Sequence, residues 1–413
     1  MSIQANFTER KYLVVLIFVT SLFLMWGVSM TLGDVLNRHF QKVLHITKSR
    51  SALVQFSIFG AYFIMGIPAG MFMKRFGYKS GVLLGLILYA IGAFLFIPAA
   101  NAESFTFFRI ALFVLACGMA TLETVAHPFV ASLGDQRTSD QRINFSQAFN
   151  GVGGVIGPVI GSYFIFRAGQ EHSNDLISVK HLYVIIGVVV AVVALCFSFI
   201  KVPPLTDPHM VSEESYANES LLNTNEKKVS VRPRHFIFAA ITQLFNVAAQ
   251  GGTWAFFINY GHDVMHFSDE HAGYYFSLSM VMMIIGRFAG TFLMRFIKPY
   301  KLLAAFAFCN IIMCVIVAQG FGWPSFIALL FINFFFSIMF PTIFSLGIKD
   351  MGPHTQLASS LIVMGVVGGG LFPYLMGLIA NHNVATAYYL PIICYLVIFA
   401  FGFGYPRLNK KSV

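Results

Sequence analysis

Long apolar runs alternate with short polar breaks along almost the whole chain. They fall at roughly 12–36, 52–73, 80–100, 105–133, 143–167 and 181–201, then at roughly 234–262, 270–296, 300–320, 323–349, 355–381 and 386–406. A helix of about 20 apolar residues crosses the hydrocarbon of a bilayer, so the pattern predicts twelve membrane-spanning helices. The first run follows Arg10 and Lys11 directly. It is too long for the core of a cleaved signal and reads as a permanent span. Between the two sets of six lies Val202 to Arg232, rich in Ser, Asn, Glu and Lys and opening on Pro203-Pro204. This stretch has little to bury and is expected to be a flexible linker. The expected division is therefore an N-terminal six-helix half over 1–201, a linker over 202–232 and a C-terminal six-helix half over 233–413.

The halves echo each other. Ala69-Gly-Met-Phe-Met-Lys-Arg-Phe76 matches Ala289-Gly-Thr-Phe-Leu-Met-Arg-Phe296, and Pro128-Phe-Val-Ala-Ser-Leu-Gly134 matches Pro341-Thr-Ile-Phe-Ser-Leu-Gly347. Glycine-rich runs ending in proline, Gly151 to Pro158 and Gly365 to Pro373, match in turn. Matches in the same order at nearly one offset predict an all-α polytopic protein of two pseudo-symmetric halves related by an axis along the membrane normal.

Composition supports the membrane reading. Of 413 residues 57% are hydrophobic and 11% charged, against about a quarter charged in a soluble domain. The net charge of +10 is unevenly spread, with 19 of the 27 Lys and Arg falling on one side of the predicted spans. By the positive-inside rule that side is cytoplasmic. It holds both termini and the linker, in what is expected to be a cell inner membrane. Nucleic-acid binding is excluded as the meaning of this charge. The five cysteines all sit in apolar runs without metal-ligand spacing and read as small buried hydrophobes.

Chemistry is confined to a few positions. Ionisable groups well inside spans are Asp34, Glu123, His127 and Arg287. An ionised carboxylate at the bilayer centre costs about 2.5–3.5 kcal/mol even on lenient insertion scales, so such groups mark proton, ion or substrate sites, or ties between helices. His127 lies four residues after Glu123, on the same helical face, and Pro128 invites a kink there. His127 reads either as a packing residue or as a proton carrier. Asp34 reads as a site residue or as a wet carboxylate at a helix end, and Arg287 as a structural or gating cation. Gln147 and Asn150 share a face of the fifth run; Asn246 and Gln250 share one of the seventh, with Trp254 a turn beyond. Amides and carboxylates for hydroxyls, with an aromatic face for the ring, are what a sugar requires; the same amides also serve as interhelical ties. Gly153, Gly157 and Gly161 fit close helix packing better than a nucleotide loop. No catalytic constellation or phosphate loop is present, so an enzyme or ATP-driven pump is not expected. A proton as coupling ion, with no other cofactor, remains.

The chain resembles the fucose–proton symporter family of the major facilitator superfamily. The resemblance is carried by Thr20-Ser-Leu-Phe-Leu-Met-Trp26, Gly33-Asp-Val-Leu36, Gly60-Ala-Tyr-Phe63 and Pro68-Ala-Gly-Met-Phe-Met-Lys-Arg-Phe-Gly-Tyr-Lys79. Leu122-Glu-Thr-Val-Ala-His-Pro-Phe129, Gln147-Ala-Phe-Asn150, Gly286-Arg-Phe-Ala-Gly290 and Ser337 to Lys349 extend it. It implies a twelve-helix carrier taking up a monosaccharide with a proton by alternating access, with Asp34 and Glu123 serving proton coupling and sugar binding. Glucose/galactose-type relatives usually have glutamine at the position of Glu123. Several positions depart from the fucose carriers: Met30-Thr31 replaces two asparagines, His127 an asparagine, and Met339-Phe340 a glutamine and a tyrosine. The expected sugar site comprises Asp34, Thr31, Glu123, His127, Gln147, Asn150, Asn246, Gln250, Trp254 and Phe340, with Arg287, Lys74, Arg75 and Arg295 as gating or structural cations. L-fucose or a related hexose or deoxyhexose is the first expectation, carried by a monomer in the lipid bilayer. A glucose/galactose or N-acetylglucosamine carrier, a drug/proton antiporter and a non-transporting sugar sensor are the alternatives.

Overall fold

The structure, a computed structural model, describes residues 8–134, 138–167, 175–202, 233–349, 362 and 364–408. The linker beyond Val202, and Arg137, lie outside the described residues, as does the side chain of Lys74. The described elements are helical throughout. They are α1 (Arg10–Val43), α2 (Lys48–Ser51), α3 (Leu53–Phe94), α4 (Phe96–Asn101), α5 (Phe105–Ser132), α6 (Ser139–Gly161) and α7 (Asp175–Phe199). After the linker come α8 (Pro233–Ala255), α9 (Phe257–Asp263), α10 (Asp269–Leu293), α11 (Pro299–Gln319), α12 (Trp323–Phe336) and α13 (Met339–Ile348). The chain ends with α14 (Gly368–Ala380), α15 (Val384–Ala387) and α16 (Leu390–Leu408). Among the described residues ten stretches are long and apolar enough to cross a membrane. In hydrocarbon every backbone N–H and C=O must be satisfied within its own segment, which makes helices the outcome.

Several boundaries differ from the sequence pattern. The second and third runs are two spans, as expected, and they meet at a sharp turn at Gly77, whose φ of 82° and ψ of 170° interrupt α3. That backbone geometry suits a residue without a Cβ. The seventh run breaks at Phe256 and the tenth at Ser337 and Ile338, so each expected single helix is two. The sixth span begins earlier, at Asp175.

At 34 residues α1 is the longest unbroken helix. Its length, about 51 Å at 1.5 Å per residue, exceeds about 30 Å of hydrocarbon. It therefore overhangs one end of the bundle, here termed distal; the proximal end is where α1 starts and α16 finishes. Helix α1 packs on α6 through glycine. A Cβ on Gly27 would run into the Asn150 carbonyl, and one on Gly153 into the Leu24 carbonyl. Small residues let membrane helices approach backbone to backbone. This contact presents the polar residues of α6 beside those of α1.

Candidate functional site

Glu123 and His127 lie on the middle of α5, both half-buried. The helix puts the His127 ring directly over its own preceding turn, where Nδ1 donates to the Glu123 carbonyl at 2.8 Å. The Gln147 amide of α6 donates to Nε2 at 2.6 Å. Both ring nitrogens are thus engaged in the neutral tautomer, which makes the ring a spacer between α5 and α6. Phe23 and Trp26 of α1 meet the ring edge-on at centroid distances of 5.1 and 6.4 Å. Tyr62 of α3 places its hydroxyl beside the Glu123 carboxyl and the Trp26 indole. The Tyr62 hydroxyl and Trp26 Nε1 are buried without a hydrogen-bond partner. One unspent donor thus lies beside the Glu123 carboxyl and a second, on an aromatic face, beside that donor, an arrangement that suits a ligand carrying hydroxyls. Asn150 borders this group and donates to the Phe23 carbonyl at 3.4 Å.

Asp34 is not part of that cluster. Eight residues beyond Trp26, it sits about 12 Å further toward the distal end at 1.5 Å per residue. It is 6% exposed rather than wet, and the Gln55 amide donates to it at 2.7 Å. Above it the two halves are closed on each other. Asn37 donates to the Ala255 carbonyl at 2.6 Å, and Gln41 and Asn259 exchange amide hydrogen bonds at 3.3 and 2.5 Å. Arg38 pairs with Asp269 at 2.8 Å, which also meets His262 at 3.1 Å. Lys48 pairs with Asp263 at 2.6 Å, and Asn381 of the C-terminal half bonds Ser49. Ser277 of α10 donates to the Val155 carbonyl at 2.7 Å. The distal end is shut over Asp34, while Glu123 and Gln147 keep exposure below it.

The remaining candidates are scattered. Thr31 turns its hydroxyl onto its own helix, at 3.1 Å from the Gly27 carbonyl, and faces Gly157. In the C-terminal half Asn246 is fully buried with neither amide atom paired. Gln250 and Phe340 are half-buried. Trp254 is 8% exposed, and its indole donates to Asn333, which in turn donates to Ser279. Its role here is to tie α8 to α12 and α10. Arg287 is exposed on α10 and has no ion-pair partner among the described residues, while Arg75 and Arg295 rest over Phe76 and Phe292 at 5.3 and 5.9 Å.

Sequence reasoning overlooked Tyr62 and the distal closure. One signal was present: Asp34, Asn37, Arg38 and Gln41 recur at three- and four-residue steps, a polar stripe along one face of α1.

The fold, the buried carboxyls and the paired halves define a membrane carrier of alternating-access type. The Major Facilitator Superfamily model matches residues 16–373. The L-fucose-proton symporter of Escherichia coli (strain K12) is 36% identical over 415 residues, which cover 95% of this chain and 93% of that one. The glucose/galactose transporter of Brucella abortus biovar 1 (strain 9-941) is 34% identical, covering 96% and 95%. A crystal structure of the major facilitator transporter FucP in the outward conformation superposes with a TM-score of 0.67 at 36% identity, covering 98% of this chain and all of that one. The chain belongs to the major facilitator superfamily and, within it, to the family of the L-fucose-proton symporter.

Proposed function

We propose that this chain is a proton-coupled monosaccharide symporter of a bacterial inner membrane, with L-fucose or a related hexose or deoxyhexose as substrate. The observation that carries the reading is the carboxyl of Glu123, held inside the bundle on the cleft side of a closed gate, in a chain similar along nearly its whole length to a fucose–proton carrier. With the positive side cytoplasmic, both termini lie in the cytoplasm. The distal end then faces outward, so the conformation is inward-facing.

The mechanism follows from the cost of burying charge. Closing the halves around an ionised Glu123 removes that carboxylate from water, whereas a protonated carboxyl enters the closed state far more cheaply. Proton and sugar therefore enter together from the outside, the halves rock, and the distal pairs of Arg38, Lys48, Asp263 and Asp269 hold the inward-facing state. Trp26, Tyr62, Glu123 and Gln147 would hold the sugar on one side. Gln250 and Phe340 belong to the facing half, and Asn246 and Trp254 sit behind them. Arg287 would act as a gating cation, together with Lys74, Arg75 and Arg295 at the cytoplasmic ends of their spans. The protein acts as a monomer with no cofactor beyond the proton.

The test is uptake into proteoliposomes under an imposed pH gradient, with L-fucose, D-galactose, D-glucose, D-mannose and N-acetylglucosamine compared. Gradient-dependent uptake of one or more of these supports the reading. A second reading, a glucose/galactose carrier, is favoured by Met339-Phe340, which look like that branch, and it predicts D-glucose and D-galactose as the sugars taken up.

A further inference from the structure

The two hydrogen bonds of the His127 ring fix more than its own place. Nδ1 lies 2.8 Å from the Glu123 carbonyl, an oxygen that only accepts. Nδ1 therefore carries the ring proton, and Nε2 of the neutral ring is left as an acceptor. The Gln147 amide, 2.6 Å from that nitrogen, must turn its NH2 group toward the ring; the reverse orientation would set two lone pairs against each other. The backbone of Gln147 is held on both sides. Ser146, the preceding residue, shares a hydrogen bond with Thr20 of α1 at 2.9 Å, and Asn150 donates to the Phe23 carbonyl at 3.4 Å. The final torsion of a glutamine side chain is broad and roughly two-fold, so the freedom left to Gln147 is which end of its amide faces the ring. Phe23 and Trp26 meet the same imidazole edge-on and keep it in place. Gln147 Oε1 then points away from the ring, on a half-buried residue at the cleft. Close by, Trp26 Nε1 is a donor and nothing else. A Glu123 carboxyl that has taken up its proton also carries a donor. Among these groups the carbonyl of Gln147 is the one that accepts and cannot donate.

We propose that His127 is a positioning residue for substrate recognition: by holding the Gln147 amide with its nitrogen toward the ring, it makes Gln147 present an acceptor to the cleft and so selects a sugar hydroxyl that donates there. The inference rests on the sugar-carrier reading above and deepens it. A hydroxyl both donates and accepts, whereas fluorine in its place cannot donate. At the sugar position that meets Gln147 Oε1, the carrier therefore distinguishes hydroxyl from fluorine. Phenylalanine at position 127 would keep an aromatic ring between α5 and α6 but hold no amide, and Gln147 would be free to turn and offer its NH2 group to either substituent. A spacer that only separates two helices would leave this distinction untouched.

Two measurements on the full-length chain provide the test. In the first, Kd values are determined for L-fucose, D-galactose, D-glucose, D-mannose and N-acetylglucosamine, and for analogues of each with fluorine in place of one hydroxyl at a time. For the sugar that binds, fluorine at one position is expected to weaken binding by about tenfold, the scale of one lost hydrogen bond. In His127→Phe the penalty at that position is expected to fall to about twofold or less, the gain of a flipped amide, with the penalties at other positions kept. Unchanged penalties in His127→Phe overturn the proposal. So does weaker binding of the sugar and all its analogues by one common factor, which marks a packing role alone. The second measurement needs no altered site: nitrogen-15 spectra of the parent labelled at histidine, with the His127 signals identified by their loss in His127→Asn. The proton is expected on Nδ1; a proton on Nε2 would turn the Gln147 carbonyl toward the ring and overturn the proposal even where His127→Phe fails to fold. The two claims separate cleanly. Binding of none of the five sugars defeats the sugar-carrier reading and the selection built on it, whereas sugar binding with the proton on Nε2 defeats the positioning role alone.

Discussion

Glu123 carries most of the weight at the scale of single residues. It sits beside the unspent Tyr62 hydroxyl and one turn from His127, and among the described residues no cation is bonded to it. A carboxyl in such a place is stable in hydrocarbon-like surroundings as the neutral acid and costly as the anion. Glu123→Gln preserves the shape and fixes the neutral state. The variant is expected to retain sugar exchange and to lose accumulation against a gradient, measured with labelled sugar in vesicles. His127 takes a different part. With Nδ1 on the Glu123 carbonyl and Nε2 on the Gln147 amide, both ring nitrogens are taken up in bridging α5 and α6. His127→Asn is therefore expected to keep proton coupling, with any change confined to the apparent affinity for sugar. A shift in proton stoichiometry would contradict the spacer role.

At the scale of elements, two contacts set the behaviour of whole helices. The α1–α6 seam is backbone against backbone, and Gly153 is one of its tightest points. Gly153→Leu is expected to cost about 1–3 kcal/mol or more as overpacking and to lower the thermal unfolding temperature. Gly66→Ala, on a face where an added Cβ meets nothing within 4 Å, should be neutral or slightly stabilising, as a helix prefers alanine by roughly 1 kcal/mol. The distal closure is the second contact. Asp269 joins α10 to Arg38 on α1 with side chains only 11% and 13% exposed, and a hydrogen bond to a charged group contributes about 1.5–3 kcal/mol. Asp269→Asn is expected to open the distal end more often. In a background free of other cysteines, alkylation of Phe59→Cys, a position packed against Gly369 of the opposite half, should quicken by about tenfold, the factor that 1.4 kcal/mol represents. An unchanged rate would mean that the pair does not hold the gate.

The whole molecule shows why some features were legible in the sequence and others were not. Spans were legible because hydrocarbon admits backbone only in self-satisfied helices, so apolar length translates almost directly into structure. The turn at Gly77 was marked by the polar break over 74–79, whereas the breaks at Phe256 and Ser337 fall inside continuous apolar runs and were not. Asp34 and Glu123 stood out because carboxyls inside apolar runs are rare. Their surroundings did not, because Tyr62 reaches Glu123, and Gln55 reaches Asp34, from another span, and spacing within one helix does not reveal a partner on the next. Trp254 illustrates the converse. Its position one turn past Gln250 suggested a sugar-facing ring, yet its indole is bonded to Asn333 behind the cleft. The distal gate likewise joins residues more than two hundred positions apart.

The central claim is that sugar and proton move together through this carrier. Proteoliposomes in a lightly buffered medium, with the external pH followed while L-fucose, D-galactose, D-glucose, D-mannose or N-acetylglucosamine is added, test it most directly. The account predicts alkalinisation of the medium with at least one of these sugars, abolished by a protonophore and absent in Glu123→Gln. Sugar uptake with no change in external pH would contradict it.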